Sequence, residues 1–182
     1  MSLATQMTAE EFLAGDWPRG TQLIAGEVVV NEPKLPHQHA LGRAYYRLLA
    51  WTDALDGRGY VGLSTDLHVG EDLYAPDVWW VAEARRPGAD DLDLEVLPDL
   101  VVEVRSPSTW CLDVGRKKAM YESYGVAELW LVDPSARSVL VYRRSAPDAT
   151  TFDVALEVTG DEPLSSPLLP DFSLPVGVLF DR

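Results

Sequence analysis

The amino-acid sequence predicts an α/β fold built as one compact domain. Residues 100–104 form an almost unbroken apolar run, which is typical of a central strand covered on both faces. Apolar residues recur at helical spacing over residues 37–55, and a second helix is predicted over 113–124. Runs typical of strands follow at 128–132 and 139–142. This order of strands and helices predicts a sheet with helices packed against it.

The composition is that of an ordinary globular protein. The chain has 182 residues, of which 47% are hydrophobic and 24% are charged, so it can bury a sizeable core. We predict a single domain over residues 1–182. The start of the chain has neither a basic stretch nor an apolar run, and no apolar segment approaches the ~20 residues of a membrane helix. The sequence therefore favours a cytoplasmic protein with no membrane partner.

The charge and the cysteine count limit the classes of function. The formal net charge is −14, which repels a polyanion at long range and argues against tight, unspecific coating of DNA. An excess of carboxylates can hold divalent cations or simply be a solvated surface. Cys111 is the only cysteine, which excludes an intrachain disulfide and a cysteine-based zinc site. We expect Cys111 to be a small, half-buried apolar residue.

The first elements are marked by local signals. A capping-box pattern at residues 8–11 opens a short helix that Gly15 ends. Two short apolar runs flank Ala25-Gly26 and predict a β-hairpin with a two-residue turn. The long helix over 37–55 ends at the glycines that follow it.

The later elements follow the same logic. Strands are predicted at 60–69 and 77–82, before the polar stretch 83–97, which we interpret as a surface excursion. Gly125 ends the second helix. The tail contains four prolines and is predicted to be extended and to wrap the surface; they are Pro163, Pro167, Pro170 and Pro175.

Two carboxylates stand at strand positions beside apolar residues. Glu103 lies inside the most hydrophobic strand, where a carboxylate is costly unless it is paired or bound to a metal. Asp77 follows Pro76 and opens an apolar run. Each has a structural alternative, a salt bridge for Glu103 and a turn for Asp77.

Two basic side chains are predicted to face inward on helices. Lys117 falls on the stripe of Val114, Tyr121 and Tyr124, whereas Lys118 falls off it and should be solvated. His37 lies four residues before Leu41 on the inward stripe of the first long helix, where a hydrogen-bonded cap is the structural alternative to a functional role.

Asp77, Glu103 and Lys117 together fit one reaction. Phosphodiester hydrolysis needs a divalent metal held by carboxylates from neighbouring strands. The metal lowers the pKa of a bound water and neutralises charge on the phosphate. A nearby lysine can orient that water or stabilise the transition state.

Several motifs carry a resemblance that spans nearly the whole chain. They are LIAGE (23–27), PD (76–77), EVRSPS (103–108), Asp113 with Lys117 and Tyr121, GV (125–126), LWLVDP (129–134) and SPLLP (166–170). In this order they resemble the Uma-type restriction endonucleases, a bacterial branch of the PD-(D/E)XK nuclease superfamily. The resemblance implies a restriction-endonuclease-like mixed β-sheet flanked by α-helices.

The resemblance also implies roles for individual residues. Mg²⁺ or Mn²⁺ would be held by Asp77 and Glu103, and Lys117 would be the catalytic lysine. The superfamily's usual lysine position holds Arg105 instead, and an arginine is a poor base but can hold a phosphate. His37 matches a histidine that opens the long helix, and we assign both it and Arg105 to substrate binding.

Glu27 matches an early acidic position of the family, just past the hairpin turn, and is counted with the catalytic residues. Two roles stay open for it: completing the metal shell, or pairing with Lys117.

The main prediction is a metal-dependent endonuclease that hydrolyses DNA, with modest and salt-sensitive affinity. The alternative is a non-catalytic homodimeric binding or regulatory module on a nuclease scaffold. The net charge, Arg105 and the lack of any basic stripe favour the alternative. Self-association is also suggested by Trp79, Trp80 and Trp130, which form either an exposed interface or part of the core.

Overall fold

The computed structural model describes residues 6–18, 21–30, 33–88, 90–91, 94, 96–106 and 113–181. Within this part of the chain, the strands form a six-stranded sheet, a four-stranded sheet and a two-stranded ribbon. The predictions for Cys111 and for the side chain of Val114 fall outside the described residues and side chains.

The strands are β1 (Thr21–Ile24), β2 (Glu27–Val30), β3 (Tyr60–Leu63), β4 (Leu67–Val69), β5 (Asp72–Tyr74), β6 (Val78–Val81), β7 (Leu100–Val104), β8 (Glu128–Asp133), β9 (Ser138–Arg143), β10 (Val154–Thr159), β11 (Pro163–Leu164) and β12 (Leu174–Pro175). The helices are α1 (Ala9–Leu13), α2 (Leu35–Asp53) and α3 (Lys118–Tyr124). A π-helical turn, Asp113–Lys117, leads directly into α3, and 3₁₀ turns lie at Glu83–Arg85 and Val176–Leu179.

The six-stranded sheet has the order β10-β9-β8-β7-β6-β3. Strands β7 and β8 run parallel, while the other neighbours run antiparallel, so the sheet is mixed as predicted. Every residue of β7 is buried, which confirms that the apolar run at 100–104 is a central strand. The parallel pair requires a crossover connection, which carries α3 over one face of the sheet.

Each face of this sheet is covered by a different layer. Helix α2 and the C-terminal tail pack on one face, and α3 with parts of the small sheet pack on the other. The tail is therefore not a surface wrap, because its apolar side chains complete the core beneath α2. They are Leu164, Leu169, Phe172, Leu174, Val176 and Leu179. The indole Nε1 of Trp51 in α2 donates to the carbonyl of Pro170, at 2.9 Å.

The three tryptophans that suggested an interface belong to the core. Trp79, Trp80 and Trp130 are all buried, and Trp79 packs on the opposite face of the sheet from the other two. Alternation of side chains along β6 explains this split, since neighbouring residues of a strand point to opposite faces. The prediction of an exposed aromatic patch is thus wrong, and the other interpretation, that the three tryptophans pack in the core, is confirmed.

The hairpin formed by β1 and β2 is confirmed. Ala25 and Gly26 both have positive φ, at 52° and 73°, as a type I′ turn requires. The capping box of α1 is also present, with the hydroxyl of Thr8 accepting from the backbone N–H of Glu11.

Several boundaries differ from the prediction. The single strand expected over 60–69 is two strands, β3 and β4, which belong to different sheets. Strands β5 and β10 were not predicted. The excursion over 83–97 is only partly a surface segment, because Leu94 is buried and bridges to Leu67. Leu55 and Tyr124, expected on inward stripes, are exposed, since each lies where its helix ends.

Among the described helices, none combines the length and the apolar character needed to cross a membrane.

Candidate active site

Asp77 lies at the end of the sheet, one residue before β6 begins. The antiparallel ladder of β6 and β7 pairs Val78 with Val102, so the next position along would place Asp77 opposite Glu103. The Asp77 Oδ2 atom accepts from the backbone N–H of Val104 at 2.7 Å. The carboxylate therefore satisfies a backbone donor of β7 at the point where β6 no longer pairs with it.

Glu103 is buried, with 2% of its surface exposed. Its Oε2 accepts from Nζ of Lys117 at 3.0 Å, and its Oε1 accepts from the hydroxyl of Tyr121 at 2.7 Å. Both oxygens of this carboxylate are thus held by donors from the crossover helix. These contacts offset the free-energy cost of burying the Glu103 carboxylate inside the central strand.

Lys117 points inward, as predicted, and is 3% exposed. It ends the π-helical turn, and Tyr121 lies four residues further on the same face of α3, so the two side chains reach Glu103 together. Lys118, expected in solvent, is half-buried. Its ammonium lies 3.9 Å from Glu122 and 4.8 Å from the centre of the Tyr142 ring, and these two side chains partly cover it.

His37 reaches Asp77 from the first turn of α2. Its Nε2 lies 3.1 Å from Asp77 Oδ2, so the imidazole donates to the carboxylate that also caps β7. The Nδ1 atom of His37 is buried and has no hydrogen-bond partner among the described residues. His37 therefore positions Asp77, which is a contact that the assignment to substrate binding did not include.

Arg105 follows β7 and turns towards β8. Its guanidinium donates to Asp133 Oδ2 at 2.6 Å, while Asp133 Oδ1 accepts from the backbone of Ser135 and Ala136. Because β7 and β8 are parallel, their carboxyl ends meet at the same edge of the sheet. Arg105 thus lies at the edge that carries Glu103, about one-third exposed.

Glu27, counted with the predicted catalytic residues, is at the surface. It lies in β2 of the small sheet with 70% of its side chain exposed, and it faces Arg116 at 3.4 Å. The pairing with Lys117 is wrong, since Lys117 contacts Glu103. A role for Glu27 in a metal shell stays a prediction.

Two residues make contacts at the site that were not predicted, namely Tyr121 with Glu103 and Asp133 with Arg105. Tyr121 was named as a member of the inward stripe and of a resemblance motif, but no contact was predicted for its hydroxyl, although its position four residues after Lys117 was a usable signal. Asp133 was noted only within the motif LWLVDP. Its place at the end of the buried strand β8 could have indicated a carboxylate at the same edge as Glu103.

Tyr74 of β5 lies beside Tyr121 at the candidate site. Its ring lies 6.2 Å from the ring of Tyr121, and its hydroxyl donates to Asp72 at 3.1 Å. Burial, and then the neighbouring Asp72 carboxylate, raise the pKa of Tyr74 above its ordinary value. Tyr74 therefore stays protonated and acts as a fixed donor.

Comparisons with known proteins agree with this architecture. The model of the Uma2 family, described as "Putative restriction endonuclease", matches residues 10–177. A crystal structure from Anabaena variabilis ATCC 29413, described as "a putative nuclease belonging to DUF820", superposes with a TM-score of 0.79 at 19% identity. The superposition covers 96% of this chain and 97% of that one. No curated protein matches the sequence.

Proposed function

The chain belongs to the Uma2 family, and on that premise we propose that it is a metal-dependent nuclease that hydrolyses phosphodiester bonds of DNA. The observation that carries the proposal is the buried contact of Glu103 with Lys117, beside Asp77 at the ends of adjacent strands. A lysine and two carboxylates are the groups that this hydrolysis requires.

Asp77 and Glu103 have the donor chemistry of a site for Mg²⁺ or Mn²⁺, since both offer hard carboxylate oxygens. No described residue donates to Asp77 Oδ1. Within the described residues, no group of three or more His, Cys, Asp or Glu side chains is gathered into a metal site. A two-carboxylate site suits magnesium, which usually keeps several water ligands. The ion would supply Lewis-acid activation of water and of the phosphate.

The remaining residues have roles that follow from their contacts. His37 and the backbone of Val104 fix one oxygen of Asp77, which leaves the other directed away from them. Lys117 brings a positive charge to Glu103 and can stabilise negative charge that develops on a phosphate nearby. Arg105, braced by Asp133, can hold a phosphate oxygen, because a guanidinium binds phosphate in a planar, two-point geometry.

Cleavage and metal binding test this proposal in parallel. Wild-type protein at low salt with manganese is expected to nick a plasmid, and Lys117→Ala to lose about 10²–10³-fold in turnover. Calorimetry should show that Lys117→Ala still binds manganese, whereas Asp77→Asn and Glu103→Gln bind it more weakly. Arg86→Gln, far from the site, is the control.

Arg105→Ala separates the two candidate positive groups. If it abolishes cleavage while Lys117→Ala does not, the catalytic cation is Arg105. If wild-type protein cuts neither plasmid nor single-stranded DNA, the proposal fails.

In that case the binding module on a nuclease scaffold replaces it. The engagement of both Glu103 oxygens by protein donors is the observation that favours this second function.

A further inference from the structure

Helix α2 has a charge distribution opposite to that of the whole chain. The chain holds 29 acidic and 15 basic residues, counting Lys and Arg. Across the 19 residues of α2, the only acidic residue is the last, Asp53, while two histidines and two arginines precede it. The helix is therefore a locally cationic element in an anionic protein.

The two arginines and the second histidine of α2 fall on one line. His39, Arg43 and Arg47 are spaced four residues apart, so they form one stripe along the helix. The stripe is about 12 Å long at 1.5 Å per residue. Arg47 is exposed, and His39 and Arg43 are half-buried, because the buried residues Ala40, Ala44 and Leu48 lie only about 100° further around the helix. The Nε2 atom of His39 lies 2.7 Å from the backbone carbonyl of Asp181, so the two arginines are the free positive groups of the stripe. Tyr46, 58% exposed, adjoins the stripe with the guanidinium of Arg47 5.9 Å from its ring centre.

The two arginines of the stripe lack the carboxylate partners that most other arginines of the described structure have. Five arginines elsewhere in the described structure form ion pairs with carboxylates, namely Arg85, Arg86, Arg105, Arg116 and Arg137. No described residue forms a hydrogen bond or an ion pair with Arg43 or Arg47. Acidic residues outnumber basic ones almost twofold, so this absence leaves two guanidinium groups ready for an anionic partner.

The stripe begins in the same helical turn as His37, which contacts Asp77, although His39 points to a different side of α2. The N-terminal end of the stripe therefore lies at the end of α2 that is near Asp77. Helix α2 also starts with neither a side-chain cap nor an acidic residue in its first turn, unlike α1, which has a capping box and two glutamates there. The positive end of the helix dipole is thus not neutralised by side chains of the first turn. It adds positive potential near the sheet edge that holds Asp77.

We propose that the stripe formed by His39, Arg43 and Arg47 binds the phosphate backbone of duplex DNA and leads it to the edge that holds Asp77. Each DNA strand carries one charge per about 3.4 Å of helix axis, so a stripe of this length can meet more than one phosphate. The exposed ring of Tyr46 adds a surface suited to contact with sugar or base. That the stripe leads DNA towards Asp77 rests on the proposed function. Binding of DNA by the stripe can be measured separately from cleavage.

The test compares two variants that each remove two positive charges. Arg43→Gln/Arg47→Gln alters the stripe, and Arg85→Gln/Arg86→Gln alters a segment after β6, at the other end of that strand from Asp77. Fluorescence anisotropy with a short labelled duplex, without metal and from about 50 to 200 mM salt, gives the affinity and its salt dependence. The stripe variant should bind more weakly, and its slope of log affinity against log salt should be smaller in magnitude by about 2. The control variant should keep the wild-type slope.

Melting temperature and hydrolysis of bis(p-nitrophenyl) phosphate complete the comparison, because both should be the same in wild type and stripe variant. Equal slopes in wild type and stripe variant, or an equal loss in the control variant, would overturn the inference. Cleavage of DNA with no dependence on the stripe leaves the proposed function standing and this inference refuted. If binding depends on the stripe but neither DNA nor bis(p-nitrophenyl) phosphate is cleaved, this inference stands and the proposed function is refuted.

Discussion

At the scale of single residues, the buried contact between Lys117 and Glu103 is the central feature of the candidate site. Both side chains are 3% exposed, and their charged atoms are 3.0 Å apart. A buried pair of this kind adds little to stability compared with apolar residues of the same volume, but removing one partner leaves an uncompensated charge. The pair is thus better suited to chemistry than to stabilising the fold.

We therefore expect Lys117→Met to lower the free energy of unfolding by about 3–5 kcal/mol. The double variant Glu103→Gln/Lys117→Met should regain most of that loss, because no charge is then left buried. Urea denaturation at neutral pH measures both. If the double variant is as unstable as the single one, the cost comes from packing rather than from the unpaired carboxylate.

Charged residues of the site were predictable where they interrupt an apolar pattern. Glu103 stands in an apolar strand and Lys117 on an inward stripe, so each departs from what its neighbours require. Tyr121 does not interrupt the apolar pattern, since a tyrosine on an inward stripe is already explained by packing, and its one signal is the spacing of four residues from Lys117. The partner of Glu27 was not predictable either, because it depends on how the small sheet packs beside α3.

At the scale of elements, the hairpin turn shows where local sequence is not optimal. A type I′ turn needs positive φ at both central residues and prefers Asn-Gly, but the first position is Ala25, at φ 52°. An alanine in this region is strained by roughly 1–2 kcal/mol. The turn is held in place by Asp72, which accepts from the backbone N–H of Ala25 at 2.8 Å.

Replacing Ala25 with Asn should raise the free energy of unfolding by about 1 kcal/mol. Gly26→Ala should lower it, because Gly26 also has positive φ and a Cβ there would lie 2.5 Å from Cβ of Gln6. Thermal melts of the two variants should therefore shift in opposite directions. A stabilised Gly26→Ala variant would contradict this account of the turn.

Elements with strong local signals were predicted, and those defined by distant partners were not. Strand β7 and the hairpin follow from their own residues. The division of 60–69 into β3 and β4 depends on which of two sheets each half joins. Strand β10, with an exposed and mixed sequence, exists because it pairs along its whole length with β9.

At the scale of the whole molecule, Glu128 ties the sheet to the tail. It is buried in β8, accepts from the indole of Trp130 at 2.6 Å and lies 2.7 Å from the hydroxyl of Ser166. Burial raises the pKa of Glu128 above its ordinary value of 4.5. At pH values between the ordinary and the raised pKa, the folded protein therefore holds a proton on Glu128 that the unfolded chain has lost.

This difference predicts a pH dependence of stability with a definite sign. A carboxyl whose pKa is raised by folding stabilises the fold below its ordinary pKa and loses that contribution as pH rises through the raised value. Stability of wild type relative to Glu128→Gln should thus fall as pH rises above about 4.5. Urea midpoints over the acidic to neutral range measure it, and a constant difference between the two proteins would refute it.

Net charge is a sum over the whole surface, so the value of −14 does not show how charge is distributed along one helix. The predicted lack of a basic stripe stands against His39, Arg43 and Arg47, which are spaced four residues apart in the sequence itself. What the sequence did not reveal is that these arginines lack carboxylate neighbours, since that depends on the fold around α2.

The tail that lies beneath α2 has a consequence for synthesis of the protein. Trp51 and its partner Pro170 are separated by 119 residues, which a ribosome adds in roughly 6–24 s at about 5–20 residues per second. During that interval α2 has emerged but lacks the apolar side chains that cover its inner face. The helix that orients Asp77 through His37 can therefore settle only after the tail has been made. Until then the apolar face of α2 would be exposed, and it would be a natural client for chaperones.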